Sequence, residues 1–202
     1  VVGVYAHEVG YAPTEESYRK CALAIGTQVC DTARLLKKNG FKVTHVSVGA
    51  SGTHFATCKL IKEGKLKGIT EVHPGNRVLG DLRYGLAGGN TRAEIAISVL
   101  VTVMSASHDG HVIVDAGWKT MGAEIMHGFR DQINFWWKNM PSYGIVKGRP
   151  DLRFARVAAE TGWVYYLEGA KRNLKVGDRL EIVPNNANLV VKASTSFNGT
   201  FT

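Results

Sequence analysis

The sequence contains no apolar run long enough to cross a bilayer. Its longest candidate, residues 95–104, has the length of a β-strand, whereas a transmembrane helix needs about 20 apolar residues. A secretory signal pattern and an initiator Met are also absent. We therefore expect an intracellular, cytoplasmic protein that makes no use of a membrane.

Cysteine is scarce, and the few cysteines do not form a recognisable site. The chain has three, Cys21, Cys30 and Cys58, and no CxxC pair. This usage favours reduced thiols in an intracellular protein over a disulfide framework. All three are expected on helices, and the sequence has no internal repeats.

The chain has no basic run interleaved with aromatic residues, although its formal net charge is +8. Most of this charge is explained by lysines on solvated faces. The alternative is an anionic partner, either nucleic acid or a phosphate-bearing cofactor. Because the basic residues are spread along the chain, nucleic acid is not expected. With 45% hydrophobic residues, the chain can bury a sizeable core.

The first eighty residues alternate strand and helix patterns. Strands are predicted over residues 1–6, 41–48 and 69–72, and helices over residues 14–38 and 54–65. Thr14 and Thr53 are placed as helix N-caps, and Asn39-Gly40 ends the first helix. The β-α-β-α-β order implies parallel strands. A strand at the first residue leads us to expect that the chain continues upstream of Val1.

The second half of the chain has an all-β pattern. Strands are predicted over residues 95–105, 111–115, 156–160, 163–168, 179–183 and 189–192, with a turn at Asp109-Gly110 between the first two. Residues 121–150 show no regular pattern. We expect a barrel or a sandwich.

Two loops follow predicted strands of the first half. Ser51, Gly52 and Thr53 lie between a strand and a helix start, where free N–H groups and the helix dipole favour a phosphate. Gly75 and Asn76 form a turn after the next strand. Each loop alone is equally explained as an ordinary turn, with or without an N-cap. Together they would lie at the carboxyl edge of one sheet, where α/β folds place ligands.

The order of several short motifs resembles the D-serine dehydratase and D-threonine aldolase family. These are fold-type III, alanine-racemase-like enzymes that depend on pyridoxal phosphate. The motifs are Gly3-Val4-Tyr5-Ala6-His7, Val46-Ser47-Val48-Gly49, Glu71-Val72-His73-Pro74-Gly75-Asn76, Asp81, Val114-Asp115-Ala116-Gly117-Trp118-Lys119, Glu160-Thr161-Gly162, Val176-Gly177-Asp178 and Ile182-Val183-Pro184-Asn185. The resemblance covers roughly residues 1–190 and fades beyond about Val191, where the closing strands of the β-domain are expected to be missing or replaced.

The resemblance implies an α/β fold in two parts. Residues 1–90 would be the C-terminal part of a (β/α) barrel that binds the cofactor. Residues 91–202 would be an all-β barrel or sandwich domain. The missing N-terminal half and a second copy of the chain, in a homodimer, are the implied protein partners.

The resemblance also implies which residues bind pyridoxal phosphate. Its phosphate would lie against Ser51, Gly52 and Thr53 and against Gly75 and Asn76. Near the cofactor, Tyr11 is the first candidate for a family tyrosine, Tyr5 is the second, and His7 belongs to the same motif. The Schiff-base lysine would lie upstream of Val1, and Lys119 is interpreted as a structural or site-rim residue.

The expected metal site is altered in this sequence. The family shows His and Cys, or His and Asp, two residues apart near the end of the β-domain, and Asn186 and Asn188 stand at these positions. Amides are poor zinc ligands, so no metal is expected. His108 and His111 are better explained by a hairpin turn than by a substitute metal site. The family's Glu-Glu-His-Gly motif is also changed: Glu160 remains, and Thr161 stands in place of His.

The implied function is that of a lyase acting on a D-3-hydroxy amino acid. The complete protein would eliminate water from this substrate or cleave its Cα–Cβ bond, as a dehydratase or an aldolase. The alternative is a catalytically inactive homologue that acts as a structural or interaction protein.

Overall fold

The structure of the protein is a computed structural model that describes residues 2–8, 14–86, 92–125 and 142–193. The chain forms two compact units, Val1–Val78 with Tyr84–Thr91 and Leu79–Arg83 with Arg92–Thr202. None of the helices in the described ranges combines the length and apolarity that a membrane crossing requires.

The first unit is a three-stranded parallel sheet. Its elements are β1 (Gly3–His7), α1 (Glu15–Lys38), β2 (His45–Gly49), α2 (His54–Lys62) and β3 (Glu71–Val72). A short helix α3 (Leu82–Leu86) follows, of which Leu82 and Arg83 belong to the second unit. The strands lie in the order β1-β2-β3, and both neighbouring pairs are parallel. The parallel arrangement predicted from the alternation of strand and helix patterns is confirmed.

Helix α1 begins and ends where its sequence predicts. Thr14 is the N-cap, and its side chain accepts a hydrogen bond from the Ser17 N–H at 3.2 Å. Two acidic residues lie in the first turn and two lysines in the last, which suits the helix dipole. Asn39 is the C-cap, and Gly40 has a φ of +86°. The apolar side of α1, including Val29 and Ala33, packs with Val46 and Val48 of the sheet.

The second unit is built around a closed antiparallel barrel. A 3₁₀ turn (Arg92–Glu94) precedes β4 (Val99–His108), β5 (His111–Val114), α4 (Trp118–Met121), β6 (Gly144–Val146), β7 (Leu152–Val157), β8 (Gly162–Tyr166), β9 (Arg179–Pro184) and α5 (Ala187–Ala193). The strands follow each other around the barrel in the order β4-β5-β8-β7-β6-β9, and β9 pairs with β4. Alternate residues point inward and fill the barrel, with Phe154, Val164 and Ile182 fully buried.

The barrel closes within the described residues, without any strand beyond Val191. The closing element is β6, which lies in a stretch predicted to be irregular. It pairs with β7 on one side and with β9 on the other. With three residues, β6 is too short to show a strand periodicity in the sequence.

The strand predicted over residues 189–192 is also wrong, because these residues belong to α5. The run Leu189-Val190-Val191 has the β-branched character of a strand. Two hydrogen bonds start a helix instead: the Ala187 N–H donates to Asp81 at 2.8 Å and the Asn188 N–H donates to Asn186 at 3.0 Å. Capping of the first N–H groups therefore overrides the strand preference.

Several predicted bounds shift by a few residues. The strand predicted over residues 156–160 is observed earlier in the chain, as β7 (Leu152–Val157). It ends at Val157 because the carbonyls of Ala158 and Ala159 accept hydrogen bonds from the N–H groups of Trp118 and Lys119 rather than from a neighbouring strand. The second strand starts at His45 rather than at Phe41, and the third starts at Glu71 rather than at Ile69. The turn at Asp109-Gly110 is confirmed, with His108 paired to His111 across it.

Candidate functional site

The sheet of the first unit presents one polar and one apolar face. The strand registers pair Tyr5 with Ser47 and Ser47 with Glu71. Because side chains alternate along a strand, His7 and His45 lie on this same face. The residues of the opposite face are Val4, Ala6, Val46, Val48 and Val72, which belong to the apolar cluster formed with α1. The polar face is therefore the side of the sheet on which a polar ligand can lie.

A carboxylate lies between two imidazoles on the polar face. The Nδ1–H of His45 donates to Glu71 Oε1, and His73 Nε2 lies 3.4 Å from Glu71 Oε2. The hydrogen bond from His45 lowers the pKa of Glu71, while burial opposes the shift. Glu71 is therefore ionised near neutral pH and holds both rings in place.

Tyr5 and His73 form a wall beside this carboxylate. Their rings meet edge to face with centroids 5.7 Å apart, and Tyr5 Oη lies 3.2 Å from His7 Nδ1. Gly49 allows this packing, because a Cβ there would lie 2.8 Å from His73 Cβ and 3.0 Å from Tyr5 Oη. A residue larger than glycine at position 49 would push the two rings apart.

The two loops predicted from the sequence meet at the carboxyl edge of the sheet. The backbone N–H of Asn76 donates to Ser51 Oγ at 2.9 Å. The neighbouring Gly75 is exposed, and Ser51 and Gly52 are partly exposed. This edge also carries the start of α2, whose free N–H groups favour an anion.

Gly52 packs against Tyr18, and the Thr53 side chain is buried. A Cβ at Gly52 would lie 3.1 Å from Tyr18 Cε1, and burial raises the pKa of Tyr18. The predicted capping role of the Thr53 side chain is wrong. Its hydroxyl makes no capping bond and donates instead to the buried carboxylate of Glu8 at 2.5 Å, and Thr57 donates to the other oxygen of Glu8 at 2.8 Å. Thr53 can therefore offer a ligand its backbone but not its hydroxyl.

Aromatic and basic side chains flank the start of α2. His54 Nδ1 lies 3.2 Å from Tyr84 Oη, and the His54 ring packs on Phe55 with centroids 4.1 Å apart. The Arg77 guanidinium lies 5.4 Å from the centre of the Phe55 ring. Burial lowers the pKa of His54, and the charge of Arg77 lowers it further. His54 is therefore neutral near pH 7, and Arg77 supplies positive charge close to the two loops.

The structure describes every predicted site residue except Tyr11. It brings Ser51 and Asn76 together and places Tyr5 and His7 on the polar face, whereas Tyr11 lies outside the described residues. Sequence reasoning missed Glu8 and the cluster that Glu71 forms with His45 and His73. The signal for Glu71 was the alternation of polar and apolar residues in all three strands, whereas no local pattern marks Glu8.

In the second unit, Asn185, Asn186 and Asn188 form the corner between β9 and α5. Asn186 precedes the first residue of α5 and Asn188 lies within it, so the two asparagines do not lie side by side on a strand. The Asn185 amide donates to the carbonyls of Ser142 at 2.7 Å and of Glu124 at 3.0 Å. Across the described ranges, no group of three or more His, Cys, Asp or Glu side chains is arranged to hold a metal ion.

Lys119 and the His108–His111 hairpin have structural explanations. Lys119 forms an ion pair with Glu160, and both side chains are about two-thirds exposed, at 68% and 66%. The rings of His108 and His111 stack with centroids 4.5 Å apart across the turn. Neither position requires a cofactor or a metal to explain it.

Comparison with known proteins gives one family and related enzymes. Residues 96–197 match the family model described as the putative serine dehydratase domain. The D-serine dehydratase of Dictyostelium discoideum is 27% identical over 198 residues, which cover 92% of this chain and 47% of that protein. The D-threo-3-hydroxyaspartate dehydratase of Delftia sp. (strain HT23) is 33% identical over 166 residues, covering 77% of this chain and 40% of that protein. The chain therefore spans less than half the length of these curated relatives.

Solved structures show the same fold. The Delftia enzyme superposes with a TM-score of 0.74 and 28% identity, over 96% of this chain and 51% of that one. A variant of that enzyme with one cysteine replaced by alanine has been solved in a metal-free form. An alanine-racemase-like protein of Idiomarina loihiensis has a TM-score of 0.67 at 22% identity, over 95% of this chain and 50% of that one. The predicted fold class is confirmed, with the second domain a barrel rather than a sandwich.

Proposed function

The chain belongs to the putative serine dehydratase domain family, and on this basis we propose that the complete protein is a pyridoxal-phosphate-dependent lyase of D-3-hydroxy amino acids. The observation that carries the proposal is the hydrogen bond between Ser51 and Asn76. It joins two loops at the carboxyl edge of a parallel sheet, which is where α/β folds bind phosphate-bearing ligands.

The joined loops fit the phosphate group of the cofactor. Ser51, Gly52, Gly75 and Asn76 would hold it, together with the backbone of Thr53. Backbone N–H groups at the start of α2 are suited to an anion. Arg77 adds positive charge nearby, as its effect on the pKa of His54 indicates.

The polar face of the sheet would border the rest of the cofactor. Tyr5, His7 and His73 are the exposed side chains on this face nearest the two loops. Glu71 would orient His73 through its charge, and His45 would orient Glu71 through their hydrogen bond. Tyr11 stays a predicted contact.

Pyridoxal phosphate supplies an electron sink that stabilises negative charge at the substrate Cα. The lysine that anchors it is assigned to the part of the protein upstream of Val1. Lys119 is not assigned to this role, because its ammonium pairs with Glu160 on an exposed surface. Within the described ranges, β1 and β3 each pair only with β2, which supports a sheet that continues in the missing half.

The substrate class follows from the two dehydratases that the chain resembles. In a dehydration the proton leaves Cα and the hydroxyl leaves Cβ as water, so that hydrolysis then gives a 2-oxo acid and ammonia. In an aldol cleavage the Cα–Cβ bond breaks and gives glycine and an aldehyde. Products of either kind from a D-substrate, and none from the L-enantiomer, are the expected result of an assay on the complete protein with D-serine, D-threonine and D-threo-3-hydroxyaspartate.

The same assay separates the two candidate functions. A protein that binds the cofactor and releases neither a 2-oxo acid nor glycine would instead be an inactive homologue with a structural or interaction role. The asparagines at the family's metal-ligand positions are the observation that favours this second function. A protein that does not bind pyridoxal phosphate would overturn the proposed function itself.

The assembly and location are part of the proposal. We assign the complete protein to the cytoplasm, which suits its three free cysteines. We also assign it a homodimeric state and no nucleic-acid partner. Light scattering after size-exclusion chromatography tests the dimer, and a filter-binding assay over a range of salt concentrations tests for nucleic acid.

A further inference from the structure

The corner between β9 and α5 is held by a charged network. One carboxylate oxygen of Glu124 accepts a hydrogen bond from the Arg83 guanidinium, and the other accepts one from the Asn186 amide. The Glu124 side chain is 19% exposed and that of Arg83 is 44% exposed. Because each of its carboxylate oxygens accepts a hydrogen bond, Glu124 links Arg83 to Asn186.

Backbone hydrogen bonds join the same parts of the chain. The Arg83 N–H donates to the Asn185 carbonyl at 3.2 Å. The fully buried Asp81 accepts the Ala187 N–H at 2.8 Å. The Asn185 amide donates to the Glu124 carbonyl at 3.0 Å. Three segments that are distant in sequence are therefore fixed to one another at this corner.

The side chains at this corner do not suit a metal ion. Asn186 Oδ1 accepts the Asn188 N–H at 3.0 Å, and its Nδ2 donates to Glu124. To bind an ion through Oδ1, Asn186 would have to release the start of α5. Asn185 Oδ1 is buried and has no hydrogen-bond partner among the described residues, but one amide oxygen does not make a zinc site, which needs several N, S or carboxylate ligands.

We propose that Arg83, Glu124 and Asn186 form a metal-independent clasp at the position where relatives of this chain bind a metal ion. The guanidinium of Arg83 supplies positive charge at this corner, and the shared carboxylate ties it to Asn186. The clasp rests on the proposed function only in that Asn186 and Asn188 correspond to the family's ligand positions. The corner consequently keeps its structure without a divalent ion.

The first test measures metal content and thermal unfolding of the complete protein. The protein is expressed in zinc- and manganese-supplemented medium, and its metals are quantified by plasma mass spectrometry. We expect the metal content to be far below one ion per chain. We also expect no change in Tm after chelation or after zinc is added back. One tightly held ion per chain, with a Tm that falls on chelation, would overturn the clasp.

The second test removes the charged link. Glu124→Gln and Arg83→Met should each lower Tm by about 2–8 °C, because either change leaves a partly buried charged or polar group without its partner. The double variant should lose little more than either single variant, since both changes break one interaction. If the charge variants do not fold, Tm is measured for Asn186→Ala instead. This variant removes both the cap on the start of α5 and the hydrogen bond to Glu124.

The matched control is Glu160→Gln, which breaks the exposed ion pair with Lys119. Exposed pairs contribute little to stability, so its Tm should change by less than about 2 °C. Clasp variants that unfold at the same temperature as wild type would overturn the inference. Neither test requires bound cofactor, so failure of the clasp and failure of the proposed function are separate results.

Discussion

The backbone N–H of Asn76 donates a 2.9 Å hydrogen bond to the hydroxyl of Ser51. This bond joins the ends of two neighbouring parallel strands and fixes the loops on which the proposed phosphate site depends. Without it, the turn after β3 would lose a direct tie to the loop after β2.

Ser51→Ala should weaken the binding of pyridoxal phosphate to the complete protein by about 5–10-fold. A hydrogen bond of this kind contributes about 1 kcal/mol, and 1.4 kcal/mol corresponds to a tenfold change in affinity. Absorbance titration measures the change. Ser107→Ala is the control, because Ser107 lies on the hairpin of the second unit, and equal affinities for the two variants would count against the phosphate site.

Replacement of the buried Glu8 by Gln should lower the free energy of unfolding by about 1–3 kcal/mol. The hydroxyls of Thr53 and Thr57 donate to this carboxylate, and hydrogen bonds to a charged group are stronger than neutral ones. Urea denaturation followed by circular dichroism measures the loss. Glu16→Gln, at a side chain that is 75% exposed, should cost less than about 0.5 kcal/mol.

Gly49→Ala should destabilise the protein by about 1–3 kcal/mol, which is typical of overpacking. The added Cβ would lie 2.8 Å from His73 Cβ and 3.0 Å from the His73 carbonyl oxygen, so the backbone would have to move. The control is Gly110→Ala, where an added Cβ meets no atom within 4 Å. The account of this face fails if both variants unfold at the same urea concentration.

The contribution of Glu71 to stability should depend on pH. Its pKa lies below the ordinary value of 4.5 because of the hydrogen bond from His45. A carboxyl whose folded-state pKa is lowered contributes stability above its unfolded pKa, and this contribution is lost as pH falls through the lower folded value. Glu71→Gln should therefore reduce Tm near neutral pH and have no effect in strong acid.

Thermal scans of wild type and Glu71→Gln at a series of pH values measure this dependence. Glu168→Gln, at an exposed turn position, is the control and should follow wild type throughout. A Tm difference between Glu71→Gln and wild type that stays constant from neutral to acid pH would contradict the assigned cause of the shift.

Features encoded by neighbouring residues could be predicted from the sequence. Thr14 caps α1 and Gly40 follows its end, and both positions need only local geometry. The meeting of Ser51 with Asn76 followed from the parallel order of the strands. The resemblance of the motifs to a family supplied the fold of the second half.

Features that depend on distant partners could not be predicted in this way. The start of α5 uses Asp81, which lies 106 positions before Ala187. The hydroxyl of Thr53 turns away from its own helix because Glu8, 45 positions earlier, accepts it. A carboxylate in such a place has no local signature, because its partners are brought to it only by the packing of the sheet.

The most direct test of the central claim is borohydride reduction of the complete protein after incubation with pyridoxal phosphate, followed by peptide mass spectrometry. Reduction fixes the cofactor to the lysine that carries it. We predict a pyridoxyl-lysine in a peptide upstream of Val1 and an unmodified Lys119. A folded protein without any pyridoxyl-lysine would contradict the claim that this family member binds the cofactor.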